Sequence, residues 1–254
     1  MVDTNPPIAT TTAKRLDGNL LLKMLPPELH DPIVEAGEIV ELSAGHALFS
    51  SGDHIEYTYF PLEQLMISML VAVDDNRQVE VGTIGQEGAI GGIVSCGNLP
   101  AFTRAEVQVA GQCCRVPMEV IERMKSESTV VRDMFCRYAD ALLAQVMQSV
   151  ACTSFHAIER RAARWLLTAQ DRAGDQLQLT QGALASLLGV QRTSINAVAR
   201  DLQDKGLISY RRGVIQVLDR EGLEAHACDC YGIVSRHFDR VIGEKSQWIE
   251  KCAD

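Results

Sequence analysis

The chain has 254 residues, of which 46% are hydrophobic and 22% charged, with a formal net charge of −9. That length supports two buried cores rather than one or three, and the acidic balance excludes polyanion binding by the chain as a whole. The exception is Phe155 to Arg220, where ten Lys and Arg stand against six Asp and Glu, a local +4 that leaves −13 elsewhere; only this segment suits a nucleic acid.

The N-terminal MVDTNPPIATTTAK has neither the basic start nor the apolar stretch of a secretion signal, and no apolar run reaches about 18 residues. A cytosolic chain with no membrane partner is expected. In that reducing compartment the eight cysteines read as thiols packed like small apolar groups. Residues 1–17, rich in Thr, Pro and Ala without apolar periodicity, read as a disordered arm. Two short helical stretches follow, Leu20 to Leu25 and Pro27 to Val34, broken at Pro26-Pro27. From Glu38 to Val116 short alternating runs take over: Ile39 to Leu42, Leu65 to Val71, Val79 to Val81 and Ala105 to Val109. These predict an antiparallel β-roll or jelly roll. Glycines at 45, 52, 82, 85, 88, 91 and 92 are read as its positive-φ corners.

From Pro117 the period becomes helical, with one short helix over Met118 to Lys125 and a long one beginning near Ser126. Along the long helix Val131, Phe135, Tyr138, Leu142, Gln145, Ser149 and Cys152 recur at alternating spacings of four and three, beside a second apolar row of Leu143, Val146, Met147 and Val150. Two apolar faces need two partners, the β-domain and a second copy of the chain. The first row, Val131, Phe135, Tyr138, Leu142, Gln145 and Ser149, is assigned to the dimer interface.

After a helix at about Ala157 to Ala169 comes LQLTQGALASLLGVQRTSINAVARDLQDKGLISYRRGVIQVLD, which carries the strongest signal in the chain. Thr180 caps a helix whose Leu184 and Leu188 face inward, Ala185 permits a close crossing, and Gly189 makes a left-handed turn. Ile195, Val198 and Leu202 then line the inner face of a second helix. Leu207 to Tyr210 and Val214 to Leu218 form a two-stranded wing around the basic corner Arg211-Arg212-Gly213. The outward face of the second helix offers Gln191, Arg192, Thr193, Asn196 and Ala197, residue types that reach base edges: Arg for guanine, Gln or Asn for adenine, Thr or Ala for the thymine methyl. Thr180, Gln181, Ser194, Arg200, Arg211 and Arg212 are the expected phosphate contacts.

This order of parts resembles the superfamily of the cyclic AMP receptor protein and the fumarate-nitrate regulator (Crp/Fnr) over roughly residues 36 to 220. The carriers are Leu-Ser-Ala-Gly-His-Ala-Leu-Phe-Ser-Ser-Gly-Asp at 42–53, like the first β-roll strands, Gly-Gln-Glu-Gly-Ala-Ile-Gly-Gly at 85–92, like the segment entering the nucleotide pocket, and the winged helix-turn-helix. The resemblance implies an α+β chain: helical lead-in and β-roll to residue 125, dimerisation helix 126–153, DNA-binding domain 154–220 and a helical tail 221–254. It implies a transcription regulator and not an enzyme, with double-stranded DNA, a second copy of itself and RNA polymerase as candidate partners, and no cofactor. The effector pocket would lie at Gly91, Gly92, Arg104 and Ala105. There the chain departs from cyclic-nucleotide binders, since Gly92 stands where a ribose-holding Glu is expected and Ala105 follows the phosphate-type Arg104 in place of a hydroxyl residue. A cyclic nucleotide held in the usual way is not expected; Arg104 reads either as a site for another anion or, preferred, as a plain strand-surface arginine paired with Glu106 or a neighbour. An effector of another kind stays open.

No cysteine precedes Cys96, against the N-terminal clusters of iron-sulfur members, and the adjacent Cys113 and Cys114 of a strand face opposite ways. His226, Cys228, Cys230 and His237 form a thiol and imidazole group in the tail, but i, i+2 spacing on a helix turns side chains about 200° apart, so no metal site is assigned. A jelly-roll metal enzyme would need a His-x-His pair, which His30, His46 and His54 do not form. The apolar residues of the tail, Ile233, Phe238, Val241, Ile242, Trp248 and Ile249, need covering by the rest of the molecule or a partner.

Overall fold

The computed structural model describes residues 16–74, 77–93 and 99–243. The expected disordered arm, apart from its last two residues, lies outside them, as do Trp248 and Ile249. The described chain opens with helix α1 (Leu20–Met24), a 3₁₀ turn at Pro27–Leu29 and helix α2 (Asp31–Ala36). Asn19 caps α1: its carbonyl oxygen accepts from the amides of Leu21 and Leu22, while its amide donates to the carbonyls of Pro61 and Gly88 at 2.8 Å each. Every hydrogen-bonding group of this fully buried side chain is therefore used, which ties the lead-in to the roll.

The roll is two antiparallel sheets. One has the order β1 (Glu38–Leu42), β7 (Gly111–Pro117), β3 (Tyr57–Glu63); the other runs β2 (Ala47–Phe49), β6 (Arg104–Val109), β4 (Met66–Asp74), β5 (Arg77–Ile84). Strand β3 escapes a sequence reading because Pro61 interrupts it; the structure accommodates the proline on an edge strand, at a register shift between Pro61 and Glu63. Cys114 packs outward with Phe60 and Val116 against the helices, and Cys113 inward with Ile67, Ile84 and Val107, so the two thiols serve different cores. Burial pushes both up to about 12, the behaviour of inert thiols.

Four of the seven predicted glycine corners, Gly45, Gly52, Gly91 and Gly92, have positive φ. Gly82, Gly85 and Gly88 do not. They are needed for close approach: a Cβ on Gly82 would sit 2.5 Å from Gln145 Oε1, and one on Gly88 would overlap the Tyr138 hydroxyl.

Helix α3 (Met118–Glu127) is followed by the long α4 (Thr129–Phe155), capped by the Ser128 hydroxyl, which accepts from the Val131 amide. The structure corrects the assignment of its faces. Val131, Phe135 and Tyr138 are at most 2% exposed, packed within the same chain against Phe60, Leu62 and Ala89. The Tyr138 hydroxyl donates to the Ala89 carbonyl at 3.0 Å. The buried Gln145 amide pairs with β5 like an added strand, accepting from Thr83 N–H at 2.9 Å and donating to Thr83 C=O at 3.2 Å. Leu142 and Ser149 are half-buried beside it. The row assigned to a partner is the one that binds the roll, and the exposed row is Leu143, Met147 and Val150, at 54%, 58% and 64%. Periodicity alone cannot rank two apolar stripes; polar Gln145 decides, because only the roll offers it a strand backbone.

Helix α5 (Ile158–Ala173) leads into the C-terminal unit: β8 (Gln176–Gln178), α6 (Gln181–Leu188), α7 (Arg192–Asp204), β9 (Ile208–Arg211), β10 (Val214–Val217), α8 (Arg220–His226) and α9 (Cys230–Val241). Its core, built on Trp165, Leu166, Leu184, Leu188, Ile195, Val198, Leu202 and Ile215, reaches Met66 and Leu70 of β4, so this unit is docked on the β4–β5 hairpin. Trp165 Nε1 donates to Glu80 Oε1 at 2.7 Å, and Arg172 pairs with Glu87 at 2.6 Å. Among the described residues no helix is long and apolar enough to cross a membrane.

Candidate nucleic-acid interface

Local chemistry builds the helix-turn-helix. Thr180 Oγ1 accepts from the Ala183 amide at 3.1 Å, fixing the start of α6, and the Tyr210 hydroxyl of the wing accepts from the Gln181 amide at 3.0 Å. At the other end Gly189 is left-handed, with φ 66° and ψ 39°, and the Val190 amide returns to the Ala185 carbonyl at 2.9 Å. A further carbonyl of this end, Leu188 O, accepts from the buried Arg161 guanidinium at 2.7 Å. The turn is thereby held from α6 and from α5.

Helix α7 leaves this turn with its two faces separated. Ile195, Val198 and Leu202 are at most 4% exposed. Gln191, Arg192, Thr193, Asn196, Ala197 and Arg200 are all exposed, and Ser194 is half-buried. Gln191 is the N-cap and Arg192 the first residue of the helix, so the predicted base-reading group occupies the helix's first turns on one solvent face. Gln203, farther along, accepts from the Tyr210 amide at 2.8 Å and locks α7 to the wing.

The wing has three strands, not two, in the order β8-β10-β9. Strand β8 is too short to show periodicity, and only its pairing with β10, Leu177 opposite Ile215, reveals it. At the tip Arg211 pairs with Val214 across a two-residue turn, Arg212 at φ 51° and Gly213 at φ 79°. Two consecutive positive φ values match the right-handed twist of a hairpin and throw Arg211 and Arg212 into solvent. Thr180 is exposed and Gln181 half-buried at the start of α6, so the expected phosphate contacts come from α6, α7 and the wing. Tyr210, Gln203 and Arg161 hold this surface in shape and were not singled out from the sequence; their partners are backbone groups, which carry no residue-type signal.

The candidate effector residues do not converge in the same way. Arg104 turns its Nε and Nη2 onto Glu106 Oε2 at 2.9 and 2.8 Å, with Nη1 3.4 Å from Ser50 Oγ. Ala105 is fully buried in the roll, and Gly91 and Gly92 are bends, the second against the Met118 side chain. A cavity of about 390 Å³ lies elsewhere, between β5, α4, α5 and α9, lined by Glu80, Gln145, Arg164, Trp165 and Arg172 among others.

The tail departs from expectation. His237 meets Asp140 at 3.0 Å and His226 lies 3.9 Å from Asp201, so neither joins Cys228 and Cys230. Those two thiols meet Cys152 and His156 at the end of α4 instead, with all four ligand atoms within 4.8 Å of one another. The angular objection to the Cys-x-Cys pair fails because Cys228 precedes α9 and only Cys230 is helical. Cys152 and His156, spaced i, i+4 across the last turn of α4 and its C-cap, were the legible half of this cluster.

Residues 160–226 match the model of the Crp-like helix-turn-helix domain. A stretch of 52 residues is 38% identical to the HTH-type transcriptional regulator Cmr of Mycobacterium tuberculosis (strain CDC 1551 / Oshkosh), covering 20% of this chain and 21% of that protein, so the match spans about a fifth of that relative's length. Among solved structures, a Crp/Fnr-family transcriptional regulator from Eubacterium rectale superposes with a TM-score of 0.64 at 18% identity, over 82% of this chain and 98% of the other. FixK2 from Bradyrhizobium japonicum gives 0.64 at 13% identity, over 76% and 98%. A transcriptional regulator of the same family from Thermus thermophilus gives 0.60 at 20% identity, over 75% and 98%. The chain carries a member of the Crp-like helix-turn-helix domain family, set in the fold of the Crp/Fnr regulators.

Proposed function

We propose that this chain is a transcription regulator that binds an inverted-repeat operator as a homodimer. The observation that carries the reading is the separation of faces on α7: its apolar side is spent inside the helix-turn-helix, and Gln191, Arg192, Thr193, Asn196 and Ala197 stand together in solvent beside a doubly arginine wing tip. Arg192 takes guanine O6 and N7, Gln191 or Asn196 adenine, and Thr193 or Ala197 the thymine methyl. Thr180, Gln181, Ser194, Arg200, Arg211 and Arg212 take the flanking phosphates. Residues 18–125 form the effector-type unit, 126–153 the dimer helix, 154–220 the DNA-binding domain and 221–254 the tail.

The dimer contact uses Leu143, Met147 and Val150, an exposed apolar row of α4 whose natural occupant is the same row of a second copy. Two recognition helices then read half-sites about 34 Å apart. Control by a cyclic nucleotide held in the usual way is disfavoured by Arg104, which is already engaged by Glu106. Selection from a random duplex pool tests the proposal. The expected product is a two-fold symmetric site, with half-sites about 10 base pairs apart between centres. Recovery of unenriched DNA at low salt overturns it.

A further inference from the structure

We infer that Cys152, His156, Cys228 and Cys230 form a mononuclear, tetrahedral site for a zinc-class divalent cation. The four come from two places: the last turn of α4 with its C-cap His156, and the short link between α8 and α9 with the first residue of α9. Cys152 and Cys228 place their sulfurs 3.5 Å apart, and Cys230 Sγ lies 3.5 Å from His156 Nδ1. A tetrahedron with metal–sulfur bonds of about 2.3 Å and a metal–nitrogen bond of about 2.0 Å has edges of about 3.5–3.8 Å. The observed separations, none above 4.8 Å, already bracket those edges. Bridged clusters of several irons hold their protein ligands farther apart, so a single ion fits and a cluster does not.

The surroundings fit the same reading. The three cysteines are at most 3% exposed and His156 is half-buried, so all four positions are filled by protein and the site is closed, as in structural rather than catalytic zinc sites. Three thiolates, a neutral imidazole and a divalent ion sum to one negative charge. Arg164 and Arg161 of α5 supply positive charge beside Cys152, and Arg164 Nε is buried without a hydrogen-bond partner. Gln148 Nε2 donates to Cys230 Sγ at 3.0 Å, the outer-shell hydrogen bond that orients a metal thiolate. An ion here clamps the tail to the end of α4, immediately before the DNA-binding domain.

The test uses the full chain, purified without chelator and under reducing conditions, with metal content measured directly and Co²⁺ as the spectroscopic probe. About one zinc per chain is expected, and Co²⁺ should give the intense visible bands of a tetrahedral thiolate site together with sulfur-to-metal charge transfer. Cys152→Ser and His156→Ala should each abolish both signals, and Gln148→Ala should weaken zinc binding about tenfold or more in competition with a chromophoric chelator. Cys136→Ser, an exposed thiol outside the cluster, should leave everything unchanged. His156 lies at a half-exposed helix end, so its variant tests the site even if Cys152→Ser does not fold. Metal-free wild type that takes up no Co²⁺, uptake unaltered by both ligand variants, or an iron–sulfur absorption spectrum would each overturn the assignment.

Discussion

Glu80 joins the β-roll to the DNA-binding unit, and its titration gives a sharp test of that joint. Its carboxylate accepts from Trp165 Nε1 of α5 at 2.7 Å and from the Ser68 hydroxyl. Burial nevertheless pushes the carboxyl from an ordinary 4.5 to about 7, the two hydrogen bonds and the nearby Arg164 and Arg172 only moderating the rise. A raised folded-state value means that the native chain holds this proton more tightly than the unfolded chain. The stabilisation is complete below pH 4.5 and is lost as pH rises through about 7. At about 1.4 kcal/mol per pH unit the whole loss is about 3 kcal/mol, and the partial exposure of the residue trims it to about 1–3 kcal/mol. Glu80→Gln keeps an acceptor for Trp165 and a polar group for Ser68 but cannot ionise. The variant should match wild type near pH 4.5 and exceed it by about 1–3 kcal/mol at about pH 8. Urea unfolding of both proteins between about pH 5 and pH 8, followed by tryptophan fluorescence, measures the difference. A constant difference across that range would refute the reasoning, because it would mean that Glu80 holds no extra proton in the fold.

Arg192→Ala should cost about 1–3 kcal/mol at one operator position and relax base preference there, while weak, salt-sensitive binding survives; titration against single-position operator variants reads this out. Arg211→Ala combined with Arg212→Ala should weaken binding to all sequences alike and reduce the magnitude of the salt slope by about 3–4 per dimer, since four phosphate contacts are lost. Leu143→Glu with Met147→Glu, both at exposed positions, should leave the melting temperature nearly unchanged but yield monomers in sedimentation velocity. Gln145→Ala should destabilise the chain by about 1–3 kcal/mol in chemical denaturation, because Thr83 N–H and C=O lose their buried partner.

Much of the DNA-binding half is legible in the linear chain because its constraints are local. Thr180, Ala185, Gly189, Ile195, Val198 and Leu202 lie within 23 residues, and each spacing is dictated by helix geometry or by the left-handed turn. The inner and outer faces of α7 follow from the 3.6-residue period alone. The β-roll is legible as a class through its alternation, but not in its pairing. Pro61 hides β3, and β8 is only three residues long.

Residue order by itself determined the helix-turn-helix, the basic wing and the long amphipathic helix, since these rest on neighbours a few residues apart. Tertiary structure alone decided which stripe of α4 meets the roll, because that choice depends on Gln145 finding Thr83, 62 residues away. It alone brought Cys152 to Cys228 across 76 residues and placed Glu80 against Trp165 across 85. Contacts of that range depend on how whole elements pack, and no periodicity along the chain records them.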